Sequence, residues 1–350
     1  MITTQELAKL AGVSQSTVSR SLNDSPHISI ETREKIQELA REHQYTTKKR
    51  IKKTPQSLSH SNTSNGGIAI IVSAGNMRTP LELYLEYLMN DVIKEIRKRN
   101  FYSVLLPYDA SEESFSYIQS VISNQDVKGV VIIYHDFQSS LEAYLSSVGI
   151  PHVYTQYFSR NFKKNLNIID GDHFTGGAMA ANHLLSLGHQ RIGTLTHYGG
   201  DFDERTKGFL SILEKNNLPH DPSLVIRTGN TYADGYCTME SQWDALKDCT
   251  AIFAQTDLLA ISVINYLQDH GYLVPAQYSV IGFDGVLEGT YCRPQLTTVI
   301  QPVAATAETS INRLLLLING QDHSASHFFL QPKLCVRNST APARDQAQVS

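Results

Sequence analysis

The chain has 350 residues, 41% apolar and 18% charged, with a net charge of −4. That length supports two or three domains with hydrophobic cores of their own. No apolar run approaches the roughly 20 residues that span a bilayer. MITTQELAKLAGVS, at the start, lacks the basic and then apolar pattern of a secretory signal. The four cysteines (Cys237, Cys249, Cys292, Cys335) stand far apart with no CxxC pair. Neither a disulfide nor a zinc framework is expected, and the thiols read as buried and reduced in a cytoplasm.

Charge is unevenly distributed: residues 1–65 carry a net +4 and the remainder −8. A basic head on an acidic body suggests that the head meets a polyanion.

Three short helices are predicted in the head. Thr3 and Glu6 have capping-box spacing, and Leu7, Leu10 and Ala11 then form an apolar face. Gly12 ends this helix, and Ser14 is an N-cap for the next. In VSQSTVSRSLN (13–23) only Val13, Val18 and Leu22 are apolar. A third helix follows Ser29, with Ile36, Leu39 and Ala40 inward. Two helices across a tight glycine turn, closed by a third, make a helix-turn-helix unit. Its second helix enters the major groove. Gln15, Ser16, Ser19 and Arg20 then face outward, where Gln suits adenine, Arg guanine and Ser either base. Ser14, Thr17 and Ser19 are short enough to approach phosphates. With Thr3 and Asn23 at the flanks they form the expected DNA-binding set, unless the head is a bundle that binds only protein. The segment Ala8-Lys9-Leu10-Ala11-Gly12-Val13-Ser14 through Thr17-Val18-Ser19-Arg20-Ser21-Leu22-Asn23 closely resembles AxxAGVSxxTVSRxLN, the headpiece motif of the lactose repressor (LacI/GalR) family. The resemblance implies that Gln15, Ser16 and Arg20 choose the operator.

Residues 44–66 turn basic (KKRIKK), then rich in Ser, Thr and Asn. This marks a domain boundary whose basic run suits phosphate contacts. Relatives continue with Pro-Asn and an Ala-Arg-x-Leu hinge helix, which this chain lacks. A short helix from Thr54-Pro55 would place Leu58 as a minor-groove wedge, with Ile51 the other candidate, and a plain disordered tether is the alternative.

Beyond Gly67, β-rich runs at 68–72, 104–107, 130–134, 152–155, 191–196, 251–255 and 279–283 alternate with amphipathic stretches such as 81–99 and 262–270. This predicts doubly wound parallel sheets in two lobes. Asp172–Gly177 resembles the family's DNxxGG with His173 in place of Asn. The stretch 183–192 resembles HLxxxGHxRI, 251–257 AIFxxND, 274–284 VPxxxSVxGFD, and 336–340 VRxST. The resemblance implies an all-α helix-turn-helix headpiece plus an α/β periplasmic-binding-protein type I core of two doubly wound lobes joined by three crossing strands. The expected divisions are headpiece 1–46, linker 47–66, effector-binding and dimerisation core 67–341, and tail 342–350. Within the core, lobe one takes about 67–166 and 300–327, and lobe two about 167–297 and 328–341.

Ligands of open α/β sheets sit beyond the carboxyl ends of the strands. Asn76, Arg78, His135, Asp136, Gln156, Arg205, Thr256, Asp257 and Asp284 fall there, with Phe158, Tyr232 and Phe283 nearby in sequence. Such a set suits a polyhydroxylated sugar, or an anion held by Arg. The resemblance implies that Gln156, Arg205, Thr256, Asp284 and Gln301 read the effector, Arg205 within RxxGF as relatives have it. Asn76, Arg78 and Tyr232 complete the expected set. Thr256 or Asp257 could instead cap a helix, Asp284 could be a buried turn residue, and Gly188-His189 reads as a helix stop with no ligand role.

The expectation is a cytoplasmic, ligand-responsive transcription regulator, in the repressor sense. It binds a palindromic operator as a homodimer under control of a sugar or related molecule, with no cofactor, metal or membrane. An enzyme is the rival, but no GxxxxGK[ST], GxGxxG or GxSxG occurs. A free-standing transport protein is the third reading, opposed by the DNA-binding head. The tail has no leucine heptad for a tetramer-forming coil.

Overall fold

The computed structural model describes residues 3–22, 28–43, 64–73, 83–133, 139–155, 166–219 and 221–344. The chain divides into two units, Met1–Asn62 and Thr63–Ser350.

The first unit contains α1 (Thr4–Ala11), α2 (Gln15–Leu22) and α3 (Ile30–Glu42). Thr3 and Glu6 close the capping box, and Gly12, at φ 70°, ends α1 in a left-handed turn that a side chain would strain. Leu7, Ala8, Ala11, Val18, Ile36 and Ala40 form its core, with Val13, Leu22 and Leu39 packed against it. One expectation fails: Leu10 is 51% exposed, and Ala8 takes the inner position. Positions 7, 8 and 11 lie on one helical face, and the small Ala8 admits the neighbouring helices where leucine would not.

The second unit has two six-stranded sheets. The first contains β1 (Gly67–Ser73), β2 (Tyr102–Tyr108), β3 (Val127–Ile133), β4 (His152–Thr155), β5 (Ile168–Gly171) and β11 (His327–Leu330), in the order β11-β5-β4-β3-β1-β2. The second contains β6 (Ile192–Thr196), β7 (Val225–Arg227), β8 (Ala251–Ala254), β9 (Ser279–Asp284), β10 (Thr297–Ile300) and β12 (Lys333–Cys335), in the order β12-β10-β9-β8-β6-β7. Pairing is parallel except between β12 and β10.

Helices α4 (Leu83–Lys98), α5 (Glu112–Asn124), α6 (Ser139–Ser147) and α12 (Val303–Ile318) cover the first sheet. Its strands alternate between the two faces. Ile68, Ile70, Val131 and Ile133 meet α4 and α12, while Ala69, Ile71, Val130 and Ile132 meet the α5 and α6 side. The second sheet lies between α7 (His173–Ser186) with α8 (Gly200–Lys215) on one face, and α9 (Tyr232–Ser241), α10 (Trp243–Leu246) and α11 (Asp257–Asp269) on the other.

The lobe limits differ from those expected at 167 and 328. β5 pairs with β4, and β11 pairs with β5, so both complete the first sheet. The chain therefore changes sheet after Gly171, after Ile300 and after Leu330. The thiols also differ from expectation: Cys249 is buried, but Cys237, on the outer face of α9, is exposed. No helix of the described residues is long and apolar enough to cross a membrane.

Candidate functional site

In the headpiece, α2 turns Val18 and Ser21 inward and leaves Gln15, Ser16, Ser19 and Arg20 exposed. Ser14 Oγ accepts from Thr17 N at 3.2 Å and lies 2.8 Å from the hydroxyls of Ser16 and Thr17. A knot of three hydroxyls therefore sits at the N-terminal end of the exposed face, where backbone amides favour anions. Thr3 caps α1. Asn23, Ile51, Leu58 and the hinge segment lie outside the described residues.

In the two-lobed unit the polar cluster centres on Arg205, which is only 2% exposed. It stands in the second turn of α8, beyond the carboxyl end of β6. Its position depends on glycine. A Cβ at Gly177 of α7 would overlap the Arg205 carbonyl, and one at Gly208 of α8 would overlap the Phe174 carbonyl. Bare backbone at both places lets α7 and α8 touch, which brings Arg205 against His173.

Arg205 Nε donates to His173 Nδ1 at 3.2 Å, Nη1 to the Gln255 carbonyl at 2.5 Å, and Nη2 to Asp201 Oδ2 at 3.3 Å. Asp284 Oδ1 lies 3.8 Å from Nη1. The guanidinium also lies over Phe283 (3.9 Å) and Phe202 (4.7 Å). The other ring nitrogen of His173, Nε2, faces Asp170 Oδ1 at 3.4 Å. Gln301 Nε2 donates to Asp284 Oδ1 at 2.8 Å. Asp284 has φ 117°, a conformation rare outside glycine. Burial pushes the Asp201 carboxyl up, against the pull of Arg205 and His173.

The structure thus brings together Arg205, Asp284 and Gln301 of the expected set. Thr256 is buried and caps α11, accepting from Leu259 N at 3.2 Å, which leaves its hydroxyl proton and one lone pair for a ligand. Asp257 is structural. Its carboxylate accepts from Gly285 N and Val286 N, both at 2.8 Å, and from the Thr298 hydroxyl, holding the loop after Asp284. Burial nevertheless pushes its pKa up to about 7. Tyr232 begins α9, partly exposed, its hydroxyl accepting from Asn265 at 2.9 Å. His189 is buried and bonds Thr250 and Ser279 inside the second lobe. Asn76, Arg78, His135, Asp136, Gln156 and Phe158 lie outside the described residues. Sequence reading missed Asp201 as a partner of Arg205, although four residues apart on one helix is the spacing at which such pairs meet.

Two family models match the chain: "Bacterial regulatory proteins, lacI family" over residues 3–48, and "Periplasmic binding protein-like domain" over 181–340. The HTH-type transcriptional regulator DegA of Bacillus subtilis is 30% identical over 97% of this chain and 98% of its own length. The chain belongs to the lacI family of bacterial regulatory proteins. Among solved lacI-type structures, the transcriptional regulator CelR–cellobiose complex matches with a TM-score of 0.72 and 26% identity, covering 97% of this chain and 100% of that one. A LacI family transcriptional regulator from Enterococcus faecium with bound ribose matches at 0.68 and 26%, covering 79% and 100%. As a lacI-family protein the chain is a DNA-binding transcription regulator and acts by binding, not catalysis.

Proposed function

We propose that the protein is a repressor that binds a palindromic operator as a homodimer, under control of a sugar or sugar derivative held between the two lobes of its core (67–341). The observation that carries this reading is the buried guanidinium of Arg205. It is stacked on Phe283 and joined to Asp201 and Asp284 beyond the carboxyl ends of the strands. Carboxylate, amide and guanidinium on an aromatic face form a sugar's usual set of contacts. Arg205, Asp284 and Gln301 would bond ligand hydroxyls, Thr256 would offer one proton, and Tyr232 would offer a ring face. Asn76, Arg78 and Gln156 remain assigned from sequence. The sugar-bound relatives support the ligand class.

On DNA, Gln15, Ser16, Ser19 and Arg20 would read bases and Thr3, Ser14 and Thr17 would hold phosphates, with Asn23 and Leu58 assigned from sequence. Two-fold pairing of headpieces on two half-sites makes the operator a palindrome. Ligand-driven closure of the lobes would change the headpiece spacing.

A pair of variants tests both halves. Arg20→Ala should weaken a selected operator by about 1–3 kcal/mol while random DNA changes less. Arg205→Ala should abolish the sugar-dependent change in operator affinity. Equal losses on both DNAs would contradict base reading, and an unchanged sugar response would make Arg205 merely structural.

A further inference from the structure

Among the described residues, the cluster around Arg205 has more acceptors and more negative charge than that cation can use. Arg205 meets two carboxylates before any ligand arrives: Asp201 at 3.3 Å and Asp284 at 3.8 Å. A third, Asp170, lies behind His173 at 3.4 Å. Three of the guanidinium's five N–H groups are already committed, to His173, the Gln255 carbonyl and Asp201. Two buried acceptors, Asp201 Oδ1 and Gln301 Oε1, have no hydrogen-bond partner among the described residues. A buried acceptor left unbonded costs free energy until a donor reaches it.

These facts sort ligands by charge. A hydroxyl brings the donor that Asp201 Oδ1 and Gln301 Oε1 lack. A phosphate or carboxylate brings further acceptors and a negative charge, close to carboxylates that have already taken up Arg205, the cation of this cluster among the described residues. Burial already pushes the Asp201 carboxyl up. A donor hydroxyl relieves that cost, whereas a second anion adds to it.

We infer that this cleft selects an uncharged polyhydroxy ligand, an unphosphorylated sugar, against phosphorylated or carboxylated ones, and that Asp201 is the residue setting that choice. The inference rests on the reading of the cleft as the effector site and narrows its ligand class. Asp201 reaches the ligand twice, directly through Oδ1 and indirectly by occupying the Arg205 edge that would otherwise clamp an anion. Without the Asp201 charge, the Nη2 edge of Arg205, with which guanidinium grips phosphate, no longer faces a competing anion.

The test uses the full-length chain and its Asp201→Asn and Asp201→Ser variants. Thermal melts are recorded with inorganic phosphate against chloride at equal ionic strength, and calorimetric titrations with ribose, cellobiose and ribose 5-phosphate. In wild type, phosphate should leave the Tm where chloride leaves it, and ribose 5-phosphate should bind at least roughly 100-fold more weakly than the better of the two neutral sugars. In either variant, phosphate should raise the Tm, and the affinity for ribose 5-phosphate should rise by roughly 10-fold or more. Phosphate protection of the wild type that disappears in Arg205→Gln would overturn the inference, as would folded variants still indifferent to phosphate. The wild-type phosphate arm decides even if neither variant folds. A sugar phosphate that binds the wild-type cleft and shifts operator affinity would sink the charge argument yet leave the effector site standing. Failure of every sugar, phosphorylated or not, to change operator affinity would contradict the effector-site reading itself, while the phosphate arm still judges Asp201.

Discussion

Asp284 shows how much one residue can be asked to do. It ends β9 at φ 117°, where a β-carbon crowds the backbone, and it is 9% exposed. Strain of this kind costs of order 1–3 kcal/mol and persists where the surroundings hold it, here Gln301 on one side and Arg205 on the other. Two substitutions separate strain from contact. Asp284→Ala loses the carboxylate and keeps the strain, whereas Asp284→Gly loses both. Glycine should therefore be the more stable variant by about 1 kcal/mol in urea denaturation, with both unresponsive to sugar. Alanine matching or exceeding glycine would mean that the backbone is not strained. At this scale the sequence was informative where a motif fixes position. Arg205 was legible from RxxGF and Asp284 from VIGFD. Asp201 went unread because no motif marks it, and its role depends on α7 and α8 being close enough to hold His173 against Arg205.

The helix pair α7–α8 owes that closeness to Gly177 and Gly208, since a methyl group at either would enter the other helix's backbone. Gly177→Ala should cost about 1–3 kcal/mol, the usual penalty of overpacking, even though alanine favours helices in isolation. A stabilised Gly177→Ala protein would show that the helices do not touch. A second anchor joins α6 to β4. His152 Nε2 lies 3.1 Å from Glu142 Oε2, its Nδ1 is 2.9 Å from the Ile150 carbonyl, and the Tyr154 hydroxyl donates to the same carboxylate. Burial opposes the charge on His152, but Glu142 and Ile150 outweigh it and raise its pKa above 6.5. Burial likewise raises Glu142, yet the bonds from His152 and Tyr154 bring it down to about 2. A raised imidazole pKa adds stability that is complete below about pH 6.5 and is lost as pH rises through the folded value. The urea midpoint of wild type minus that of His152→Gln should therefore shrink from pH 6 to pH 8. A difference that grows with pH would reverse the assignment. The long strands and the head's capped helices were legible because pattern and caps agree. β5, β7, β10, β11 and β12, only three or four residues each, were not, although β4 and β8 are as short and were read: so short a run shows no period, and its pairing is decided by distant strands.

At the scale of the whole molecule, three connections, after Gly171, Ile300 and Leu330, join the lobes. They are braced at their crossing. Gln331 Nε2 donates to Asp172 at 2.9 Å, and Gln301 joins Asp284 just past the second connection. Farther out, the Tyr87 hydroxyl on α4 reaches Glu288 of the other lobe at 3.4 Å. On the proposed effector reading, ligand bonds to Arg205, Asp284 and Gln301 would form where the lobes hinge, and differential binding to one arrangement is what moves such an equilibrium. Two-lobe architecture was legible from the alternation of strands and helices. Of the places where the chain changes lobe, the second, near residue 300, was legible, but the first and third were set a few residues early, because they depend on β5 and β11 pairing across about 160 residues of chain. The central claim is ligand control of DNA affinity. Its most direct test is fluorescence anisotropy of the full-length protein on an operator selected from random DNA, at fixed salt, with and without a neutral sugar that protects it in thermal melts. The account predicts that the sugar changes operator affinity by roughly 5-fold or more, the usual scale of coupling between sites, while leaving affinity for random DNA alone. Sugar binding with no change in operator affinity would contradict it.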